Sequence, residues 1–343
     1  VVIPAYGRVE PLKYTLRSAA RALREVWGGG EILVVDDGSE PPLEEQLQGF
    51  EAGHPVRFLR QKNQGSIVAR MTGLAVAQGE YVLFLDSDDL IHLDKIRVQT
   101  EAMKESGAEV SYSDMAEARL GEKYEATFSA GPKVSPTEDS VELFGRIQPA
   151  PHGPIYRREY LQKALVKPVV PQKRAFDPSG DIWLYRNLIL HPAKVKKVEG
   201  AFTAIGPHEE HRYSLCWEKL GAASLLIEEE FFRACPKTPE TETARRVVGE
   251  VTFVSWRTLP HDVDAKYRRR KLEIWRQAPL GDLEKLGGKG FQMLARILGP
   301  VAAGWILRKW QRPRYQTCRT LPQGKKIQDL LSHDRPAGSV KSE

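Results

Sequence analysis

Tyr81-Val82-Leu83-Phe84-Leu85-Asp86-Ser87-Asp88-Asp89 is the stretch that decides the fold. Five apolar residues in a row, with β-branched and aromatic members, suit a strand buried on both faces, and such strands sit in sheets covered by helices. The acidic run then marks the strand's carboxyl end. The same sentence is written upstream. Glu31-Ile32-Leu33-Val34-Val35 ends in Asp36-Asp37-Gly38-Ser39, Val56-Arg57-Phe58-Leu59 ends in Asn63-Gln64-Gly65, and Val1-Val2-Ile3 runs into Pro4. Between these runs the spacing turns helical: Leu12, Leu16, Ala19, Ala20 and Leu23 from about Pro11 to Trp27, stopped by Gly28-Gly29-Gly30, and again from Ser66 to Gln78. Strand and helix alternate as in βαβ units, which predicts an α/β domain built on a mainly parallel central sheet flanked by helices. Open sheets of this kind bind ligands beyond the carboxyl ends of their strands, where the polar clusters collect.

Several carboxylates within four residues repel one another unless a cation or hydrogen-bond donors sit among them. Asp86-Ser87-Asp88 has the D-x-D spacing that suits Mg²⁺ or Mn²⁺ shared with substrate phosphates. It equally suits a solvated acidic turn in which Asp89 caps the next helix. Asp36-Asp37-Gly38-Ser39 reads as an Asx-turn, or as a carboxylate placed to accept from a nucleotide base or ribose. Arg70, on the helix after Gly65, would aim a guanidinium at the same crevice.

Taken in order, Val1-Val2-Ile3-Pro4-Ala5-Tyr6-Gly7-Arg8, Ile32 to Ser39, Asn63-Gln64-Gly65 with Ala69-Arg70, and Gly79-Glu80-Tyr81 into Asp89 closely resemble family 2 glycosyltransferases of the GT-A fold. The resemblance is strongest over residues 1 to about 100. It implies that Pro4, Ala5, Tyr6 and Arg8 flank the base and ribose, that Asp37 or Asp36 meets the base, and that Arg70 lies near the nucleotide. Asp86, with Ser87 beside it, is implied at the ribose and Asp88 at a divalent cation, Mn²⁺ or Mg²⁺, bridging the diphosphate. Members often carry Asn near Gly7, which leaves the nucleotide open here. Phe176-Asp177-Pro178-Ser179-Gly180-Asp181-Ile182-Trp183 is similar to the family's catalytic run, with Asp181 implied as the base and Gly180 where an acid often stands. Trp183 and Gly180, with His152 and Gly153, are implied at the acceptor, and His208 at the diphosphate and its metal. The bland alternatives are a helix N-terminal Asp181 favoured by the macrodipole, and loop histidines at 152, 208 and 211.

The implied reaction is inverting transfer of a sugar from a nucleotide-diphospho-sugar donor to a hydroxyl of a saccharide or glycolipid acceptor, in cell-surface polysaccharide or glycoconjugate synthesis. A non-catalytic nucleotide-sugar-binding protein remains the rival of another kind. A sugar-phosphate nucleotidyltransferase would open with a G-x-G-x-R loop, which Pro4 to Arg8 does not supply.

From Glu101 to Ser214 the pattern loosens, with strands expected near Val110, Ile155 and Val195, a helix from about Asp181 to Leu190, and loops over Gly121 to Pro151. Beyond Leu215 it becomes helical: Glu218 to Ala234, Thr241 to Trp256, Asp264 to Gln277, and Phe291 to Trp310 broken at Gly299-Pro300. The expected organisation is therefore a nucleotide-sugar-binding half (1–100), an acceptor-binding half (101–215) and a basic helical extension (216–343). The 343 residues carry 51 Lys and Arg against 45 Asp and Glu, a net +6, with 41% hydrophobic residues, which excludes disordered, collagen-like and polytopic membrane chains. The basicity is local, since residues 261–343 hold 18 Lys and Arg against 8 Asp and Glu. Around Trp305 and Trp310 it suggests either peripheral contact with a membrane surface or a helical hairpin packed on the rest of the protein. Nucleic acid is disfavoured, because no nucleic-acid motif accompanies the charge. Cys216, Cys235 and Cys318 fit neither a disulfide framework nor a zinc site, and no signal peptide is visible in a chain that opens on a strand without Met. A cytoplasmic protein, peripheral at the inner face of the membrane, is expected.

Overall fold

The computed structural model describes residues 1–26, 28–207, 216–315 and 327–332. The chain divides into two compact units, Val1–Glu210 and His211–Glu343. In the first, β1 (Val2–Ala5), α1 (Val9–Arg24), β2 (Ile32–Asp36), α2 (Leu43–Gln46), β3 (Val56–Arg60) and α3 (Ser66–Val76) follow the predicted alternation. Then come β4 (Tyr81–Val82), β5 (Leu90–Ile91), α4 (Lys95–Ser106), β6 (Val110–Leu120), β7 (Ala126–Ala130), α5 (Ser140–Glu142), β8 (Ile155–Arg157), α6 (Arg158–Leu165), α7 (Gly180–Leu188) and β9 (Val195–Ala204).

β1, β2 and β3 pair in parallel in that order, and the Leu83–Leu85 stretch continues the sheet beside β1 through Val2 N–H to Leu83 O and Leu85 N–H to Val2 O, both 2.9 Å. Every residue of β1 and β2 is buried, as expected of a strand covered on both faces. On one side α1 contributes Leu12, Leu16, Ala19 and Leu23, at helical spacing, to a core with Ile3, Val34, Leu83 and Leu85. Gly73 of α3 lies so close to the sheet that an added Cβ would stand 2.3 Å from Val2 Cγ1, so α3 packs with backbone against strand.

The second sheet runs β4-β8-β6-β9-β5, with β7 hairpinned on β6. Here only β6 and β9 are parallel, and β4–β8, β6–β8, β5–β9 and β6–β7 are antiparallel. Parallel pairing is thus concentrated in the first hundred residues, where the helical crossovers lie. β7 corrects the loop expected over Gly121 to Pro151: Ala126-Thr127-Phe128-Ser129-Ala130 alternates only weakly and leaves one edge to solvent, so its hydrophobic signal is faint.

The second unit is helical, with α8 (Trp217–Ala234), α9 (Pro239–Thr258), α10 (Ala265–Gln277), α11 (Leu283–Leu286), α12 (Lys289–Leu298), α13 (Pro300–Gln311) and α14 (Ile327–Ser332). The sequence expectations for α8, α9 and α10 hold to within two residues at each end. Gly299, with φ 80°, ends α12, and Pro300 opens α13, as the Gly-Pro pair predicts. Phe253 of α9 stands 4.6 Å from the ring of Trp275 and 6.0 Å from that of Phe291, forming the aromatic centre of the unit. Among the described residues, no helix is long and apolar enough to cross a membrane.

Candidate active site

The β2 end is built by two carboxylates with different work. Asp36 accepts the backbone N–H groups of Ser39 (2.8 Å) and Leu43 (3.0 Å), which closes its own turn. Asp37 accepts from the Gln61 side chain and the backbone N–H of Gln64 and Gly65, each at 2.8 Å, and so ties the loop after β3 to the end of β2. Gly38 is required at φ 84°, where a Cβ would meet the Asn63 backbone nitrogen at 2.9 Å. The Ser39 hydroxyl accepts the Gly7 N–H at 2.9 Å, joining the β1 end to the same platform. Pro4 and Ala5 lie within the buried end of β1, whereas Tyr6 is 58% exposed above it.

Arg70 is the hub. It is buried on α3, with Nη2 2.5 Å from Asp86 Oδ1. Burial works against its charge, but Asp86, Asp181 and Asp177 together hold the guanidinium above its ordinary pKa. Burial alone would likewise raise Asp86, and Arg70, with help from Arg8, outweighs it, keeping this carboxyl below its usual range. Asp181 shifts the other way. Burial pushes it up, its hydrogen bond from Ile182 N–H (2.8 Å) and Arg70 pull it back, and the charge of Asp86 adds to the rise. A carboxylate at the first turn of α7 with a raised pKa is suited to taking a proton.

Asp177, which sequence reading treated only as part of a pattern, buttresses this edge. Its Oδ1 accepts from Ile67 N–H at 3.1 Å and from the Ser66 hydroxyl at 3.3 Å, while Oδ2 has no hydrogen-bond partner. Gly65, at φ 102°, admits it, since a Cβ there would fall 1.8 Å from Asp177 Oδ2. A cleft of about 480 Å³ lined by Asn63, Gln64, Ile67, Arg174 and Asp177 opens beside the carboxylates, and Asp86, Asp88 and Asp181 do not line it.

Asp86, Asp89 and His152 each offer one ligand atom, all within 4.8 Å of one another. His152 is 1% exposed; Nδ1 lies 3.0 Å from Asp89 Oδ2 and the ring lies close to the Ala204 backbone, yet neither ring nitrogen makes a hydrogen bond of good geometry. Burial drives its pKa down to about 4, so the imidazole is neutral with a lone pair to give. Two carboxylates and a neutral imidazole with unsatisfied nitrogens fit a divalent cation.

The structure thus brings Asp86, Arg70 and Asp181 into one electrostatic group, with Asp37 and Asp177 fixing the adjoining loop. Asp88, expected at the cation, stands outside the three-residue cluster and pairs with Arg8 Nη1 at 3.0 Å; Arg8 itself is left-handed, φ 49°. Ser87 is buried between the two acids. His152 belongs to the cluster rather than to an open acceptor pocket. Gly153 carries its carbonyl to the buried ammonium of Lys95 at 2.6 Å. Trp183 presents no face to a sugar: it is 1% exposed, and its indole N–H donates to Val170 O at 2.8 Å. A long apolar-flanked aromatic after an acid reads alike whether it lines a pocket or fills a core. Gly180 lies where a Cβ would meet Arg70 Nη1 at 2.9 Å. His208 lies outside the described residues.

Comparison with known proteins bears on the family and the fold. The family model described as Glycosyl transferase family 2 matches residues 1–164. An uncharacterized glycosyltransferase of Rickettsia felis is 31% identical over 131 residues, 38% of this chain and 21% of that protein. Chondroitin synthase of Escherichia coli is 36% identical over 99 residues, 29% of this chain and 14% of that protein. The chain therefore aligns with about a fifth or less of the length of these two relatives. Among solved structures, S. aureus TarS 1–349 in complex with UDP-GlcNAc superposes with a TM-score of 0.59 at 16% identity, covering 92% of this chain and 91% of that one, which establishes a shared fold. The amino-terminal 164 residues are a glycosyl transferase family 2 domain, carried on a GT-A fold.

Proposed function

We propose that the protein transfers a sugar, with inversion, from a nucleotide-diphospho-sugar to a hydroxyl of a saccharide or glycolipid acceptor. The observation that carries this reading is the gathering of Asp86, Asp177 and Asp181, from separate stretches of chain, in the field of one buried arginine beside the Asp86–Asp89–His152 cluster. Asp181 takes the proton of the acceptor hydroxyl as its oxygen attacks the anomeric carbon. The carbon–oxygen bond to the diphosphate breaks on the opposite face, and its electron pair leaves with the nucleoside diphosphate. Arg70, dry and fixed by Asp86, offsets charge near that leaving group without reorganising. Asp37 holds the Gln61–Gly65 loop where a base and ribose would rest, and exposed Tyr6 offers a ring to the base. Asp86, Asp89 and His152 would hold a divalent cation, and an imidazole in the set favours Mn²⁺ over the harder Mg²⁺. Such a cation supplies Lewis-acid stabilisation of the departing diphosphate. The UDP-GlcNAc complex of TarS and the likeness to chondroitin synthase support a nucleotide-sugar donor and a place in polysaccharide synthesis.

A panel of nucleotide sugars, with Mn²⁺, Mg²⁺ or chelator, tests this by release of nucleoside diphosphate in the presence of saccharide acceptors. Metal-dependent release with at least one donor is expected. Binding heat without release from any donor would leave a non-catalytic binder and overturn the transfer reading.

A further inference from the structure

We propose that the α12–α13 hairpin is a docking surface for an anionic lipid bilayer. The two helices pack on each other, and each keeps one face for the protein and one for solvent. α12 buries Phe291 and Ala295, one turn apart, while Met293 and Ile297, also one turn apart, are exposed, Ile297 by 75%. α13 buries Ala303, Gly304 and Arg308 and leaves Trp305, Ile306 and Trp310 outward, Trp310 by 84%. Large apolar side chains on two adjoining helices form the kind of patch that marks an interaction surface rather than scattered surface residues.

Charge identifies the occupant. Residues 287–315 contain no Asp or Glu and six Lys and Arg, of which Arg308 is buried and the five at 289, 296, 309, 312 and 314 remain for the outer face. An acid-free, tryptophan-bearing face complements a surface that is negative outside and apolar within, which is the boundary of an anionic leaflet. Trp is the residue type that sits at that boundary, with its ring in the acyl region and its N–H in the headgroups. A second copy of the chain would set like charge against like charge, and a nucleic acid would gain nothing from exposed Ile297 and Met293. At 10 and 12 residues the helices are too short to span the hydrocarbon core, so they lie along it. None of these residues belongs to the candidate active site, so vesicle binding and sugar transfer can fail separately.

The test is co-sedimentation of the full chain with vesicles of phosphatidylcholine alone and with one-third phosphatidylglycerol. Partition is expected only into the anionic vesicles and should weaken with salt. Arg296→Gln with Lys309→Gln should lower the partition coefficient about 30-fold, at roughly fivefold per charge removed. Ile297→Ser with Trp310→Ser should lower it comparably, and both double variants should melt as the parent does because the four side chains are exposed. No partition, equal partition into neutral vesicles, or parent-like binding by either variant would overturn the proposal. So would a concentration-dependent dimer in sedimentation velocity that Trp310→Ser abolishes, since the patch would then be covered by a second copy.

Discussion

Gly180→Ala separates stability from function in a way that follows from the geometry. Gly180 has φ −63° and ψ −24°, helical values that alanine adopts freely, so the backbone gains up to about 1 kcal/mol of helix propensity. The new Cβ, however, would stand 2.9 Å from Arg70 Nη1 and 3.3 Å from Ile67 Cγ1. A comfortable carbon–nitrogen contact requires Arg70 to retreat by roughly 0.5 Å, and α3 cannot follow because it is packed on β1. The Arg70–Asp86 contact is charge-assisted and worth ~1.5–3 kcal/mol, so weakening it by about half costs ~1 kcal/mol and cancels the helix gain. The melting temperature should therefore stay within about 4 °C of the parent in either direction. Turnover is more sensitive, because a misplacement of about 1 Å at a reacting centre costs on the order of 100-fold, and half that shift should cost about tenfold in kcat/KM. The assay pairs release of nucleoside diphosphate with a thermal melt on the same sample. Parent-like turnover at an unchanged melting temperature would refute Arg70 as the element that organises the site.

Asp181→Asn should keep donor-induced thermal stabilisation and lose transfer by ~10²–10⁴-fold, while in the parent the rate should fall as pH drops through an Asp181 pKa above its ordinary 3.8; a flat acid limb in a pH–rate profile would remove it as the base. His152 takes up a proton at pH 6.5 in the unfolded chain but only near pH 4 when folded, so stability should decline as pH falls from about 6.5 to about 4, and His152→Gln should abolish that slope in pH-dependent denaturant melts and weaken Mn²⁺ binding at least tenfold. Asp37→Ala orphans the N–H groups of Gln64 and Gly65 together with the Gln61 amide, and should cost ~3 kcal/mol in a denaturant titration and weaken donor binding; a loss below about 1 kcal/mol would show that the loop holds itself.

The parallel core was legible because buried strands carry continuous apolar runs and their carboxyl ends carry polar residues, so Leu85-Asp86 and Val35-Asp36 announce both a strand and its edge. That Arg70 and Asp181 lie near Asp86 was legible through the ordered motifs and the resemblance they carry. The members of the Asp86–Asp89–His152 cluster were not. His152 reaches Asp89 across more than sixty residues, and a histidine before Gly-Pro carries no local sign of that contact. Nor did D-x-D spacing tell which acid meets which partner: Asp88 meets Arg8, whereas Asp89, the expected helix cap, faces His152. Trp183 was misplaced for the opposite reason, because burial depends on Val170 and Pro171 arriving from a separate loop. In the helical unit the pattern fixed helix limits well, since its caps, Thr238, Asp264 and Gly299, are local.

Anomalous diffraction from crystals grown with Mn²⁺ and a hydrolysed or intact nucleotide sugar bears most directly on the whole account. A manganese peak within bonding distance of Asp86, Asp89 and His152, with the diphosphate beside Arg70, is the result expected. A peak held by Asp88 away from His152, or donor density with no metal at these three residues, would contradict it.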